Sequence, residues 1–192
     1  MGLDAQVDSM ILEKFLPESL KYEAGVSINL CARTAYSADL LNVFQRVNHN
    51  PAKTMLEFSE AKDGGSRLPA EYDPKVLDAL KKKGYRFALD DMNPEVIQEL
   101  ECLFIFAYID AVKFDHHIAT RLRKAIRTGD KVDKLDAEIV VHHIGAISRL
   151  CPNALLIMEG VRATDGPAMM NYLRDAGIHA YQKSNYVDPL DL

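Results

Sequence analysis

Five short apolar segments of this chain each end in an acidic or amide side chain, and each is followed by a loop and a helical pattern. The polar residues at these ends are Asn29, Glu57, Asp90, Asp115 and Glu159. Strands that alternate with helices are expected to pair in parallel, and functional groups of (β/α) barrels lie at the carboxyl ends of the strands. We therefore expect these side chains to form an oxygen-rich site of the kind that suits Mg²⁺ or Mn²⁺.

Hydrophobic periodicity predicts the elements around these strand ends. Strands are predicted over 25–31, 54–59, 86–90, 111–114, 154–158 and 179–182. Helices are predicted over 3–16, 38–47, 74–83, 94–103, 116–127, 135–150 and 166–176, with a loop over 61–72. No linker is long enough to divide the chain, so we expect a single domain spanning residues 1–192.

Composition limits the class of protein. The chain is 48% hydrophobic and 27% charged, which is typical of a soluble globular protein, and its formal net charge of −5 argues against a general nucleic-acid binder. It shows no signal-peptide pattern and no apolar run of about 18 residues that would span a membrane. Cys31, Cys102 and Cys151 lack C-x-x-C spacing, which indicates buried thiols in a reducing compartment. We expect a cytoplasmic protein.

The histidine pairs and the basic runs have a structural interpretation. Neighbouring residues of a helix point in different directions, so His116-His117 and His142-His143 are expected to be solvated or partly packed rather than metal ligands. Lys81-Lys82-Lys83 and the arginine-rich run 121–127 are interpreted as solvated helix faces, the latter also as a weak candidate patch for an anionic partner.

Six segments of the chain carry a recognisable order of motifs. They are Ser27-Ile28-Asn29-Leu30-Cys31, Leu56-Glu57-Phe58-Ser59-Glu60, Ala88-Leu89-Asp90-Asp91-Met92-Asn93-Pro94-Glu95, Lys113-Phe114-Asp115, Glu159-Gly160-Val161-Arg162 and Gln182-Lys183-Ser184. In order and spacing they resemble S-x-N-L-S, L-E-x-T-E, A-L-D-D-F-G-T-G, K-I-D, E-G-V-E and Q-G-Y of the EAL family, the cyclic-di-GMP phosphodiesterases of bacterial second-messenger signalling. The resemblance extends from about Leu3 to Leu192.

The resemblance implies a set of roles for these residues. As metal ligands for Mg²⁺ or Mn²⁺ it implies Asn29, Glu57, Asp90 and Glu159, with Asp91 serving a second ion. As catalytic residues it implies Lys113 beside the water or phosphate, Gln182 orienting the water, and Glu60 supporting the loop that gates the second metal. A local interpretation stays open for Asp90 and Asp91, which would also suit the start of a helix as N-capping residues.

The chain departs from the family pattern at four places. The strand with Glu-Ala-Leu, which lies well upstream of the Asn segment in the family, has no counterpart before Asn29, and Glu23 in Tyr22-Glu23-Ala24-Gly25 is not assigned its role. Met92-Asn93-Pro94-Glu95 replaces F-G-T-G, Arg162 replaces the second Glu of E-G-V-E, and Lys183 replaces the Gly of Q-G-Y. These differences predict a metal-dependent cyclic-di-GMP phosphodiesterase-like domain whose catalysis is impaired.

Two alternatives remain open: a non-catalytic cyclic-di-GMP sensor or protein-interaction module on the same fold, and an active enzyme whose first strands lie upstream. The fold implied is α/β, an incomplete TIM-like (β/α) barrel with mostly parallel strands, because a full barrel needs about 250 residues. An incomplete barrel exposes two strand edges. We expect its seam to be covered by the N-terminal helix, by a second copy in a homodimer, or by a partner protein.

Overall fold

The computed structural model describes residues 3–23, 25–31, 38–59, 74–92 and 104–183. The chain divides into two compact units, Met1–Asp90 and Asp91–Leu192. Parallel strands alternate with helices in both units, which confirms the predicted α/β class. The prediction of a single domain stays a prediction.

The first unit contains three parallel strands and the helices that flank them. Its helices are α1 (Leu3–Phe15), α2 (Ala38–Arg46) and α3 (Pro74–Lys82), with 3₁₀ turns at Leu16–Leu20 and Pro51–Lys53. Its strands are β1 (Val26–Cys31), β2 (Thr54–Ser59) and β3 (Arg86–Met92), whose last two residues belong to the second unit. β2 pairs with both β1 and β3.

The strands of the first unit separate apolar from polar side chains by simple alternation. Leu30, Leu56, Phe58, Phe87 and Leu89 are buried. Residues two apart on a strand share a face, so these side chains lie opposite the face that carries Asn29 and Glu57. A shift of one residue in register would move the whole apolar set to the face that carries Asn29 and Glu57, so the hydrophobic pattern favours one pairing.

The second unit repeats the same architecture. After a 3₁₀ turn at Phe104–Tyr108 it contains β4 (Ala111–Phe114), α4 (His116–Thr128), α5 (Lys131–Leu150), β5 (Leu155–Val161), α6 (Pro167–Asp175) and β6 (Ala180–Lys183). β5 pairs in parallel with both β4 and β6. Asp115 caps α4 by accepting from the amide of His117 at 2.9 Å, and Asp130 caps α5 by accepting from the amide of Val132 at 2.7 Å.

Most predicted boundaries agree with the structure, and the exceptions have local causes. α5 begins at Lys131 instead of 135, because Asp130 supplies its N-cap directly after the left-handed Gly129 that ends α4. β5 continues to Val161 instead of ending at Met158, so Glu159 lies within the strand. The predicted helix 94–103 and loop 61–72 lie outside the described residues.

Cys151 is buried, as predicted, and burial raises the pKa of its thiol to about 12. Cys31 lies on β1 within a stretch of which no side chain is described, and Cys102 lies outside the described residues. Among the residues that the structure describes, no helix is both long and apolar enough to cross a membrane.

Candidate functional site

Three of the predicted metal ligands lie together at the carboxyl ends of the strands in the first unit. Asn29 is the direct register partner of Glu57, and Ser59 is that of Asp90, so the three polar side chains share one face. The Nδ2 atom of Asn29 lies 3.5 Å from Oδ2 of Asp90, and Ser27 Oγ donates to Oε1 of Glu57. The structure therefore brings Asn29, Glu57 and Asp90 to one end of this part of the sheet.

The two carboxylates of this group are buried although they are charged. Glu57 is 4% exposed and Asp90 is 6% exposed, whereas Asn29 and Ser27 are open to solvent. Placing an anionic group away from water is costly unless hydrogen bonds or a cation compensate for the lost hydration. The hydroxyl of Ser27 and the amide of Asn29 contribute such compensation, and oxygen atoms in this arrangement suit a hard divalent cation.

In the second unit an ion pair joins the carboxyl-terminal parts of two neighbouring strands. Nζ of Lys113 on β4 lies 3.1 Å from Oε1 of Glu159 on β5, with side chains 14% and 18% exposed. Because these groups are largely shielded from water, their attraction is screened less than that of a surface pair. Asp91 presents a carboxylate oxygen within 4.8 Å of one from Glu159. Lys113 and Asp91 thus both lie close to Glu159.

The backbone at Asp91 is strained. Its φ of 53° makes it the one non-glycine residue with positive φ among the residues described. This left-handed conformation costs on the order of 1 kcal/mol for a residue with a Cβ, less for Asp than for most. Such backbone outliers cluster at functional sites. A positive φ gives the side chain a direction that it would not have in a regular strand.

The other two predicted catalytic residues are Gln182 and Glu60. Gln182 lies on β6 and is exposed. Glu60 lies outside the described residues, as do Asn93, Pro94 and Glu95 of the segment that replaces the glycine loop. The alternative that Asp90 and Asp91 cap a helix concerns the same undescribed segment.

A second group of possible ligands gathers at the start of α4. One donor atom each from Asp115, His116 and His117 lies within 4.8 Å of the others. The buried carboxylate of Asp115 already pairs with Nδ1 of His116 at 2.8 Å and caps the helix. Both histidines are exposed, in agreement with their interpretation as solvated residues.

Sequence reasoning missed Ser27 and two ion pairs of α4. Ser27 is part of the first motif, and its spacing of two from Asn29 on a strand would have placed it on the same face. Arg123 and Asp165 form an ion pair at 2.8 Å, and Arg121 pairs with Asp136. The interpretation of 121–127 as a solvated face is therefore wrong for Arg123, whose side chain is 19% exposed. No local signal connects partners 42 positions apart in the sequence.

Comparisons with known proteins leave the likeness at the level of structure. No family model matches the chain, and no curated protein matches it in sequence. The EAL enzyme Bd1971 in its cAMP-bound form matches with 16% identity and a TM-score of 0.54, over 93% of this chain and 46% of that one. The Bacillus subtilis YkuI protein, with an EAL domain, in complex with cyclic-di-GMP and calcium matches with 15% identity and a TM-score of 0.52, over 95% and 44%.

The chain has an EAL-domain fold. The resemblance inferred from the motifs is confirmed at this level, and with it the prediction of an incomplete TIM-like (β/α) barrel. A form of Bd1971 with both cAMP and cyclic-di-GMP bound matches with 16% identity and a TM-score of 0.51, over 94% of this chain and 44% of that one. The chain thus spans less than half the length of these EAL proteins.

Proposed function

We propose that this chain is an EAL-type domain of bacterial second-messenger signalling that binds cyclic-di-GMP with Mg²⁺ or Mn²⁺ and hydrolyses it to pGpG only weakly. The observation that carries the proposal is the Lys113–Glu159 ion pair, which puts a cation beside a carboxylate at adjacent strand ends. The fold supports the choice of ligand, since Bd1971 and YkuI, which share it, have been solved with cyclic-di-GMP bound.

In each unit the residues present fit a hard divalent cation. Glu57 and Asp90 supply buried carboxylates and Asn29 an amide oxygen in the first unit, and Asp91 and Glu159 supply carboxylates in the second. Mg²⁺ and Mn²⁺ prefer oxygen ligands, and neither of the two groups contains a thiolate or an imidazole. When bound, such an ion polarises a phosphate and lowers the pKa of a nearby water.

The other residues of the proposed site act on the phosphate and on water. Lys113 neutralises charge on a phosphate oxygen, and its ammonium is oriented for this by Glu159. Gln182 orients the attacking water through its side-chain amide, and Glu60 supports the loop at the second metal. These roles follow the positions of the motifs.

Impaired turnover follows from the chain's departures from the family pattern. Met92-Asn93-Pro94-Glu95 replaces two glycines by residues with less backbone freedom, in a segment that gates the second metal in the family. Arg162 and Lys183 replace a carboxylate and a glycine with cations, which favour holding a phosphate over cleaving it. These two cations also favour the second candidate function, a non-catalytic cyclic-di-GMP sensor or interaction module.

Calorimetric titration separates these functions. The chain is titrated with cyclic-di-GMP in Ca²⁺, the ion of the YkuI complex, and in Mn²⁺, and the Mn²⁺ samples are then chromatographed for pGpG. We expect binding in both ions and slow product formation in Mn²⁺, both reduced at least tenfold by Glu159→Gln and unchanged by Glu138→Gln, an exposed carboxylate on α5. Binding without product supports the sensor. The absence of any cyclic-di-GMP-dependent heat contradicts both proposals.

A further inference from the structure

The strand that carries Glu159 is irregular at that residue. β5 pairs with β6 at Ile157 and Met158 and again at Val161, with a shift of register between Met158 and Val161. Gly160 lies in this shift with φ of +71°, and a Cβ there would lie 2.5 Å from the Cβ of His116. The direction of the Glu159 side chain therefore depends on a backbone irregularity at which a residue with a Cβ would clash.

Arg123 of α4 holds this irregularity from one side. Its Nη2 atom donates to the carbonyl oxygen of Gly160, and its Nε atom donates to Oδ1 of Asp165 at 2.8 Å. The other carboxylate oxygen of Asp165 accepts from the backbone amide of Arg162, also at 2.8 Å. Arg123 and Asp165, which we call the β5 clamp, thus fix the backbone at Gly160 and at Arg162.

Burial makes the β5 clamp stiffer than an ordinary surface pair. The side chain of Asp165 is 5% exposed and that of Arg123 is 19% exposed. Charge-assisted hydrogen bonds shielded from water are stronger than neutral ones and are less screened by salt. The planar guanidinium presents its donors in a fixed geometry, so the carbonyl and the carboxylate are held in one relative position.

We propose that the β5 clamp is a positioning device for Glu159: by fixing the backbone that follows Glu159 it holds the Glu159 carboxylate against Nζ of Lys113. The proposal deepens the proposed function, because Glu159 and Lys113 are site residues there, and its relevance to ligand binding rests on that function. The positioning itself is a property of the chain without any ligand. Arg123 and Asp165 are positioning residues.

A second arginine of α4 provides a matched control. Arg121 pairs with Asp136 of α5, and its Nε lies 2.8 Å from Oδ2 of that carboxylate. This pair joins two helices, whereas the β5 clamp joins a helix to the strand backbone next to Glu159. α4 itself is anchored by its buried apolar face, which consists of Ile118, Ala119, Leu122 and Ala125. Removal of either arginine therefore leaves the main attachment of α4 in place.

The test is a double-mutant cycle between Lys113 and Glu159, built from Lys113→Met and Glu159→Gln and measured by urea unfolding. The cycle is repeated with Arg123→Met/Asp165→Asn, which opens the β5 clamp without leaving a buried charge, and with Arg121→Met/Asp136→Asn. In the unmodified chain and in the Arg121→Met/Asp136→Asn control, we expect the coupling between Lys113 and Glu159 to change the unfolding equilibrium constant by a factor of at least about five. In the opened clamp we expect less than about twofold.

Two results would overturn the proposal: undiminished coupling when the clamp is open, or equal loss of coupling in the control. If the double variant does not fold, Arg123→Lys replaces it, because lysine keeps the charge but not the forked donation. The Kd for cyclic-di-GMP in Ca²⁺ is also compared among the unmodified chain, the opened clamp and the control. We expect it to rise about tenfold in the opened clamp and to stay unchanged in the control. If the unmodified chain binds no cyclic-di-GMP, the proposed function fails, and the cycle still decides whether the clamp positions Glu159.

Discussion

Lys113 and Glu159 form a largely buried ion pair across neighbouring strands β4 and β5, with 3.1 Å between Nζ and Oε1. In the absence of a ligand each group compensates part of the desolvation of the other. An ammonium has three donors and a carboxylate has two oxygens, so the pair can persist while Lys113 also donates to a phosphate and Glu159 also binds a divalent cation. The pair therefore holds a cationic group for the phosphate next to a carboxylate for the metal, and we expect phosphate and divalent cation to bind together more favourably than either alone.

Replacement of Lys113 by Met tests the contribution of Lys113 to ligand binding and to stability. We expect the Kd for cyclic-di-GMP to rise at least tenfold, because a cation near the phosphate is lost while the Glu159 carboxylate remains. Stability should fall by about 1–3 kcal/mol, because a largely buried carboxylate loses a charged partner. Calorimetry and urea unfolding measure the two effects. Lys124→Met removes an exposed lysine that pairs with Asp133 and should leave the Kd unchanged; an equal rise there would show a non-specific loss of positive charge.

Glu57 offers a test of the proposed metal site in the first unit. The stability of Glu57→Gln without metal is the baseline for the variant, because the substitution also removes a buried charge. With Mn²⁺ at about a hundred times its Kd, the unmodified chain should gain about 2.7 kcal/mol, and the variant should lose most of that gain. Thermal unfolding with and without Mn²⁺ measures both. A full Mn²⁺ stabilisation in the variant would exclude Glu57 as a ligand, and Glu138→Gln is the matched control.

The strand-end residues could be predicted from the sequence because their positions follow from local rules. Apolar alternation determines the register of a parallel strand, and the register determines that Asn29 lies beside Glu57. The motif order predicts Lys113 and Glu159 as site residues, and the structure places the two side chains in an ion pair. Side-chain identity and strand register were sufficient for these residues.

The contacts that fix the backbone next to Glu159 could not be predicted from the sequence. Arg123 lies in an arginine-rich helical run that is typical of a solvated face, and its partner Asp165 follows a different strand. At Gly160 an added Cβ would meet the Cβ and the backbone of His116, a proximity that no sequence spacing encodes. Such contacts arise only when the helix has packed on the strand, so they require tertiary structure.

Gly160→Ala and Gly177→Ala separate two costs of a side chain. Both glycines have positive φ, +71° and +82°, but an added Cβ would meet His116 at 2.5 Å only at Gly160 and would meet nothing within 4 Å at Gly177. We expect Gly177→Ala to destabilise by about 1 kcal/mol from backbone strain alone. Gly160→Ala should cost about 1–3 kcal/mol more, because the overpacked contact forces backbone to move. If urea unfolding gives equal losses of stability for the two variants, α4 moves away from an added side chain at no measurable cost.

The Arg121–Asp136 pair predicts a small, acid-sensitive part of the stability. The hydrogen bond from Arg121 lowers the pKa of Asp136 below the ordinary 3.8, so the folded state binds this proton less readily than the unfolded chain does. Its stabilisation is therefore complete above the unfolded value, near pH 4, and disappears as the pH falls through the lower folded value. Because the Asp136 side chain is 40% exposed, its contribution should be only about 0.5 kcal/mol.

Asp136→Asn should accordingly reduce the free energy of unfolding by about 0.5 kcal/mol at pH 7, and the difference from the unmodified chain should shrink as the pH falls below 4. Urea unfolding at pH 7, 5 and 3 measures it. Asp175→Asn removes the partner of Arg174 in a more exposed pair, 69–73% exposed, and serves as the control with a smaller effect expected. A difference for Asp136→Asn that grows toward acid pH would have the wrong sign for a carboxylate stabilised by Arg121, and would mean that the pair does not form in solution.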